Sequence, residues 1–448
     1  MTHYRFSILL PRDVLCYVLM ALLIPILVNG DTEGSPPSKP NVVLVTIDDL
    51  NDWVGFQNKS SLDAITPNMD RLANEGMVFS NAHCSAPECA PSRTSLISEL
   101  EPWTTGIYYN RDNWMPSVPI EQMLPAVMKA NGYHAAGGGK IHHHVMGFNP
   151  PEQWHEYFAQ VFEDYWTREK YKYARGWQKT EPRPKPLWLP LNGLAGEFAP
   201  TYPDSFDWGT IESVEKNYHM GDTQMVDWAV DFLSKNTDQP FFLAVGIYKP
   251  HLPWYAPKEF FDLYDESESP LPEVSLSDLD DVPPIGRTIA AKRGDDFHLV
   301  VKSGQYKKAV RAYRAAISYA DSQVGRILDA LGENQLEMET IVILTSDHGW
   351  HLGEKLHWHK STLWERATHV PLIIIAPGMT RAGSVSYSPV GLIDIYPTIM
   401  DLCEIAIDHK LDGHSLRNLF EDDDEFRIIN LSTFITFQHP LPCWKYFN

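Results

Sequence analysis

Asp48 and Asp49 come directly after an apolar, β-branched run, Asn41 to Thr46, and Asp347 and His348 come just after another, Thr340 to Leu344. Three carboxylates and one imidazole offer hard oxygen donors with a single nitrogen, a set that suits calcium or magnesium better than a thiol-seeking ion. An isolated Asp-Asp pair more often caps a turn. The second carboxylate-and-histidine pair, in the same position after a second strand, shifts the reading toward a metal. A different chemistry is offered by Glu88-Cys89-Ala90-Pro91-Ser92-Arg93. Pro91 suits the first turn of a helix beginning near Cys89, so the sulfur would lie near a helix N-terminus with the fixed charge of Arg93 beside it. That setting fits a low-pKa thiolate nucleophile, and it also fits a small buried apolar side chain, the commoner state of a lone cysteine.

Residues so far apart in sequence can act together only if the elements that carry them end at one place. The body of the chain reads as alternating strands and helices. Both acidic pairs follow continuous apolar runs of the kind that form buried parallel strands, and Pro240 to Val245 reads as a third. Ligands in open α/β sheets bind past the C-terminal ends of such strands, which would let residues 48–49 meet residues 347–348. Thr66, Pro67 and Gly76 read as the N-cap, first-turn proline and terminal glycine of a short helix. Val310, Tyr313, Ile317, Ala320, Val324, Ile327 and Leu331 recur at three-and-four spacing, the stripe of a long amphipathic helix over Tyr306 to Leu331. Glu163 to Asp207, rich in Pro, Trp and Tyr, and the acidic stretch Leu271 to Phe297 show no period and read as long surface loops.

Composition bounds these readings. A chain of 448 residues, 44% of them hydrophobic, can bury a large α/β core. Its formal charge of -21 argues against nucleic acid as a general partner, so an anionic substrate would need a local basic pocket. Arg5 and Arg12 precede an apolar run from Val14 to Val28, and residues 1–30 read as a signal peptide. Export is expected, to a secreted, periplasmic or lysosomal location according to host. The run is shorter than a bilayer span and contains Pro25, so no stable membrane insertion is expected. Residues 31–40 form a Ser/Pro-containing linker. The cysteines that follow are too few for a disulfide scaffold, although Cys84, Cys403 and Cys443 leave room for one bridge. Asn58-Lys59-Ser60 and Asn430-Leu431-Ser432 match the glycosylation pattern.

Cys89-Ala90-Pro91-Ser92-Arg93 matches the Cys-X-Pro-Ser-Arg signature of type I sulfatases. VLVTIDDLND, GKIHHH, FFLAVGIYKPHLPW, YADSQVGRILDAL and TSDHGWHLGEKLHWHKSTLWERATHVPLII occur in the order, and with much of the wording, of the iduronate-2-sulfatase-like branch. The chain is identified by this resemblance as a member of that family. The resemblance implies an α/β, alkaline-phosphatase-like fold, with a large mostly parallel central sheet flanked by helices, over a catalytic domain at 41–420. It implies one calcium ion held by Asp48, Asp49, Asp347 and His348, with position 89 also touching the ion. It implies conversion of Cys89 to formylglycine by a formylglycine-generating enzyme. The hydrate of that aldehyde carries two hydroxyls on one carbon, one to attack sulfur and one whose deprotonation expels sulfate. By the same carry-over Arg93 steadies the formylglycine, Lys140 and Lys360 grip sulfate, His143 deprotonates the hydrate and His251 protonates the leaving oxygen. Taken singly, Lys140 and Lys360 would read equally well as solvated surface charges, and His142 to His144 as an exposed polar tract. The implied substrate is a sulfated saccharide.

Two features depart from the family pattern. Where relatives continue to Leu-Thr-Gly, this chain has Ile97-Ser98-Glu99, which bears on recognition by the converting enzyme. Relatives also carry a small C-terminal subdomain that completes the substrate pocket; residues 421–448 read as its remnant or truncated form. Two other functions stay open on the sequence. One is a phosphoester or phosphonate hydrolase of the same superfamily, and the other a catalytically silent, secreted carbohydrate-binding relative in which Cys89 remains a thiol.

Overall fold

The run Asn41–Ile47 becomes strand β1, buried on both faces as a segment without polar alternation must be. The computed structural model describes residues 39–57, 60–143, 150–158, 192–194, 206–211, 220–235, 239–267, 269–291, 295–421, 430–436 and 439–447. The signal peptide, residue 58 of the first glycosylation pattern, and most of Glu163 to Asp207 lie outside them. The other strands of the central sheet are β2 (Met77–Phe79), β3 (His134–Gly139), β4 (Glu156–Phe158), β5 (Phe241–Ile247), β6 (Thr340–Ser346), β7 (Leu372–Ile375) and β8 (Ser384–Ser386). Across the sheet the order is β8-β2-β7-β6-β1-β5-β3-β4. β1 runs parallel to both β5 and β6, and only β7 is antiparallel to its neighbours. This is the expected α/β fold with a large, mostly parallel sheet.

Register brings the strand ends level. Ile47 lies opposite Ile247 on one side and Ser346 on the other, and Gly139 lies opposite Gly246. The chain therefore leaves β1, β3, β5 and β6 along one edge, where ligand sites form in such sheets. Alternate side chains feed two cores: Val43, Val45, Ile47, Leu243, Val245 and Leu344 face one, and Val42, Leu44, Phe242, Ala244 and Ile343 face the other.

The helices used below are α1 (Pro67–Glu75), α2 (Cys89–Ser98), α3 (Gly221–Ser234), α4 (Pro284–Ala291), α5 (Asp295–Lys302) and α6 (Tyr306–Glu333). All seven residues of the predicted stripe on α6 are buried. Two details differ from expectation. Thr66 makes no side-chain cap on α1; instead Asp321 of α6 accepts from the amides of Asn68 (3.1 Å) and Met69 (2.8 Å). The carboxylate does the capping from a neighbouring element and docks α1 on α6 at once. Leu271 to Phe297 is not wholly irregular, because α4 and the start of α5 fall within it. Both helices are short, eight residues each, and in α4 only Ala290 is buried, so each offers too few turns for a stripe to stand out.

At the C-terminal end, Asn430–Thr436 and His439–Phe447 pair as an antiparallel hairpin. Cys84, Cys89 and Cys403 are free thiols, so Cys84 and Cys403 do not form the bridge the sequence left open. Among the described residues no helix is long and apolar enough to cross a membrane.

Candidate active site

The amide ladder runs one residue past each strand. Asp48 N donates to Ile247 O at 3.0 Å, and Lys140 N to Gly246 O at 2.9 Å. The side chains of Asp48 and Lys140 thereby emerge side by side, with Lys140 Nζ 2.5 Å from Asp48 Oδ2. Gly246 is what lets Lys140 cross so closely, since a Cβ there would stand 2.3 Å from the Lys140 carbonyl carbon and oxygen. Gly246→Ala is expected to cost roughly 1–3 kcal/mol, as overpacking does, and to displace Lys140. Thermal melts and catalytic turnover would both report it; an unchanged pair of values would mean the crossing relaxes freely.

Arg93 ties the strand ends together. Its Nη2 lies 3.1 Å from Asp48 Oδ1, its Nε 2.9 Å from Asp347 Oδ2, and its Nη1 donates to the Lys140 carbonyl. α2 delivers both Arg93 and Cys89, and begins at Cys89 as the position of Pro91 predicts. Ser92 Oγ donates to the Asp347 carbonyl at 2.5 Å, fixing the helix on the β6 end. Asn110, which sequence reasoning missed, accepts from the Ala90 amide at 2.8 Å and so caps this helix from a distant loop.

Cys89 Sγ stands 2.9 Å from Lys360 Nζ and 3.3 Å from His348 Nε2. Burial pushes its thiol up to about 12, against the pull of Lys140 and Lys360. Burial thus favours the neutral thiol of Cys89 over the thiolate. Burial opposes the charge of Lys360, but Asp49, 2.6 Å away, outweighs it and raises the ammonium above its usual range. Burial works on Asp48 in the opposite sense from its partners, and Lys140, His251, Arg93 and Lys360 together hold its carboxyl well below the usual value. The local cations that an acidic chain would need are thus present, and Lys140 and Lys360 are buried, not solvated.

Two histidines have their protons assigned by geometry. His348 Nδ1 donates to the Gly349 carbonyl at 3.0 Å, so Nε2 is the nitrogen that faces Cys89, Asp49 and Asp347. His251 Nδ1 donates to the Leu252 carbonyl at 2.6 Å, so Nε2, 3.8 Å from Asp49 Oδ2, is the nitrogen turned to the site. His143 is buried three residues after Lys140. Asp222 of α3 shapes the His251 loop by accepting from the amides of Tyr248 (2.8 Å) and Lys249 (3.0 Å).

Asp49 holds a left-handed backbone, φ 61°, a conformation that outside glycine falls mainly to Asn and Asp. Tyr313 of α6 sustains it, donating to the Asp49 carbonyl at 2.7 Å and accepting from the Asn51 amide at 3.0 Å. A buried tyrosine in an apolar stripe needs a partner for its hydroxyl, and that need is the only sequence signal this brace gives.

With this geometry, comparison with known proteins is direct. The family model described as Sulfatase matches residues 40–405. The chain belongs to the sulfatase family. A protein named "Sulfatase" from Formosa agariphila is 34% identical over 414 residues, covering 86% of this chain and 73% of its own length. Human iduronate 2-sulfatase is 32% identical over 388 residues, covering 83% of this chain, which spans 66% of the human protein. Among solved structures, the phosphonate monoester hydrolase of Agrobacterium radiobacter superposes with TM-score 0.69 at 21% identity, covering 89% of this chain and 81% of that one. A structure holding its substrate D-glucosamine-2-N,6-O-disulfate gives TM-score 0.67 at 18% identity, covering 90% and 85%. These two establish the fold.

The sulfatase-family site can be tested for a metal on its own atoms. Ligand atoms of Asp48, Cys89, Asp347 and His348, all buried, lie within 4.8 Å of one another, and Asp49, Cys89 and His251 form a second such group. Asp49 Oδ2 is buried without a hydrogen bond among the described residues, an arrangement that favours a cation nearby. The set fits a hard divalent ion except at one atom. Sulfur is a soft ligand, and an oxygen at position 89 would leave the His348 nitrogen as the one donor of the set that is not oxygen.

The departure at Glu99 is structural. Glu99 ends α2 at φ 61°, where glycine is the favoured residue. Its carboxylate offsets the strain by accepting from the amides of Asp412 (2.8 Å) and Gly413. Burial nevertheless pushes Glu99 up to about 8, against those two amides, and pushes nearby Glu101 up to about 8 as well. Carboxyls raised in the fold stabilise it fully below their unfolded value of 4.5, and that contribution is lost as pH climbs through 8. The loss should be on the order of a few kcal/mol. Tm is expected to fall between pH 5 and pH 9, roughly spanning these titrations, and Glu101→Gln should flatten the fall. A level or rising Tm over that interval would mean the carboxyls are ionised in the fold.

Proposed function

We propose that this chain hydrolyses sulfate esters on a sulfated saccharide, as an iduronate-2-sulfatase-like enzyme, with a formylglycine at position 89 and one calcium ion at Asp48, Asp49, Asp347 and His348. The observation that carries the reading is the convergence of Lys140, Lys360, Arg93 and the ligand set on Cys89, where burial disfavours a thiolate. A bound calcium would hold sulfate oxygens and acidify an adjacent hydroxyl. A formylglycine would supply, as its hydrate, one hydroxyl to attack sulfur and a second to release it.

The chain's own residues do the rest. Lys140 and Lys360 reach Asp48 and Asp49 with one ammonium proton each and have others to give to sulfate oxygens. Arg93 spans Asp48, Asp347 and the Lys140 carbonyl, keeping the acids and the lysine in fixed relation. His251, with Nδ1 committed to Leu252, presents Nε2 as the proton donor to the leaving oxygen. His143 is assigned the complementary step, taking the proton whose removal expels sulfate. Maturation by a formylglycine-generating enzyme and export through residues 1–30 belong to the same proposal.

The test is made on the chain coexpressed with that enzyme and loaded with calcium. The tryptic peptide Leu72–Arg93 should weigh about 18 Da less than its thiol form, and the protein should release sulfate from a sulfated disaccharide. A converted, calcium-loaded protein that cleaves a phosphonate monoester and leaves sulfate esters intact would overturn the reading in favour of phosphonate chemistry.

A further inference from the structure

Lys360 lies in a contorted stretch of chain. Lys355, Leu356, His359 and Ser361 have φ of 58°, 51°, 88° and 69°, and none is glycine. Conformations of this kind persist only where the surroundings over-determine them. Here alternate side chains reach across to the segment that holds α4 and α5. Lys355 Nζ lies 2.7 Å from Asp278 Oδ1, His357 Nδ1 lies 2.8 Å from the Ala290 carbonyl, and His359 Nε2 lies 2.5 Å from Asp296 Oδ2.

Of the three, His357 also touches the functional residue. Its Nε2 is 2.8 Å from the carbonyl oxygen of Lys360. Both ring nitrogens therefore face oxygens that can only accept, and a neutral ring has a single N–H, so the imidazolium is the form that satisfies both. The ring is fully buried. Among the described residues on its own side, His351 lies edge-on to it with ring centroids 5.2 Å apart, and Lys355 and Arg366 act on that His351 ring. On the facing segment are Asp278 and Asp296, already paired with Lys355 and His359.

We propose that His357 is a positioning residue for Lys360. Donation from Nε2 fixes the Lys360 main chain so that Nζ meets Cys89 Sγ at 2.9 Å and Asp49 at 2.6 Å. Donation from Nδ1 anchors the same turn to α4, which converts an exposed helix into an outer brace for the site. The inference rests on the reading of Lys360 as a sulfate-gripping residue.

Two isosteric substitutions separate the bonds, because a glutamine amide nitrogen falls near Nε2 and an asparagine amide nitrogen near Nδ1. The experiment is steady-state hydrolysis of 4-nitrophenyl sulfate by the converted, calcium-loaded full chain, comparing wild type with His357→Gln, His357→Asn and Lys360→Ala. His357→Asn should lower kcat/KM about tenfold, chiefly through KM, as misplacement of a positioning group does, while His357→Gln stays within about twofold. Raising the pH should raise KM in the wild type and not in His357→Gln. Equal losses in the Gln and Asn variants, or no loss in either, beside a large loss in Lys360→Ala, would overturn the role of His357 and leave that of Lys360 standing. If Lys360→Ala itself kept full kcat/KM, the reading of Lys360 and the inference built on it would both fall.

Discussion

Cys89→Ala is expected to fold like the wild type and to lose turnover of sulfate esters by at least about 10⁴-fold, the scale seen when a nucleophile is removed. The loss of stability should be small. The sulfur is buried at the first residue of α2, and α2 is held by Ser92 on the Asp347 carbonyl, by Asn110 on the Ala90 amide and by Arg93 on both acids, none of which the substitution touches. The loss of rate should be near complete, because the only group at this position is the one Lys360 and His348 approach. Cys89→Ser sharpens the test. A single hydroxyl can take up sulfate but has no geminal partner to release it, so this variant should give at most one turnover and carry a sulfated serine. Rates with 4-nitrophenyl sulfate, a thermal melt and the intact mass after substrate decide the matter. Wild-type rates in Cys89→Ala would end the mechanism.

Much of the scaffold for that chemistry was legible because its signals are physical necessities. A strand buried on both faces has to be apolar throughout, so β1, β5 and β6 announce themselves, and the polar residues after Ile47 and Ser346 mark the sheet edge. The α6 stripe is equally forced by burial. What escaped are contacts made by single atoms between distant elements. Thr66 has the right residue type for a cap, yet Asp321 arrives from α6 and takes the amides. Tyr313 sits in an apolar stripe, and its hydroxyl's need for a partner does not say that the partners are Asp49 and Asn51. Asn110 and Asp222 act on amides of other loops, and no spacing rule connects them to Ala90 or Tyr248. α4 and α5 were hidden for another reason: each is eight residues long, too short for its apolar face to stand out from the acidic stretch around it. The candidate site residues came from resemblance as well as position, and the geometry adds what neither could carry, namely which nitrogen of His348 and of His251 faces inward.

Arg93→Ala should be far more disruptive than Cys89→Ala, in a way that calcium reverses. The guanidinium is buried among Asp48, Asp347 and the Lys140 carbonyl. Burial alone would work against its charge, but Asp347 and Asp48 outweigh it and hold the guanidinium firmly protonated. Removing it leaves buried Asp347 without its guanidinium, Asp48 with Lys140 as its nearest cation, and a carbonyl without its donor, and breaking a buried pair this way costs about 3–5 kcal/mol. In chelator, the variant should therefore melt several degrees below wild type. Arg93→Lys should recover little, since one ammonium cannot serve three acceptors in three directions. Calcium changes the balance. An ion at Asp48, Asp49, Asp347 and His348 would supply the positive charge the variant lacks, so added calcium should raise the Tm of Arg93→Ala more than that of the wild type. Turnover should stay low, because charge restored at the carboxylates does not restore the hold on Lys140. Melts of both proteins with chelator and with calcium test this directly: a variant that melts like wild type in chelator, or that calcium stabilises less than wild type, would place the ion elsewhere.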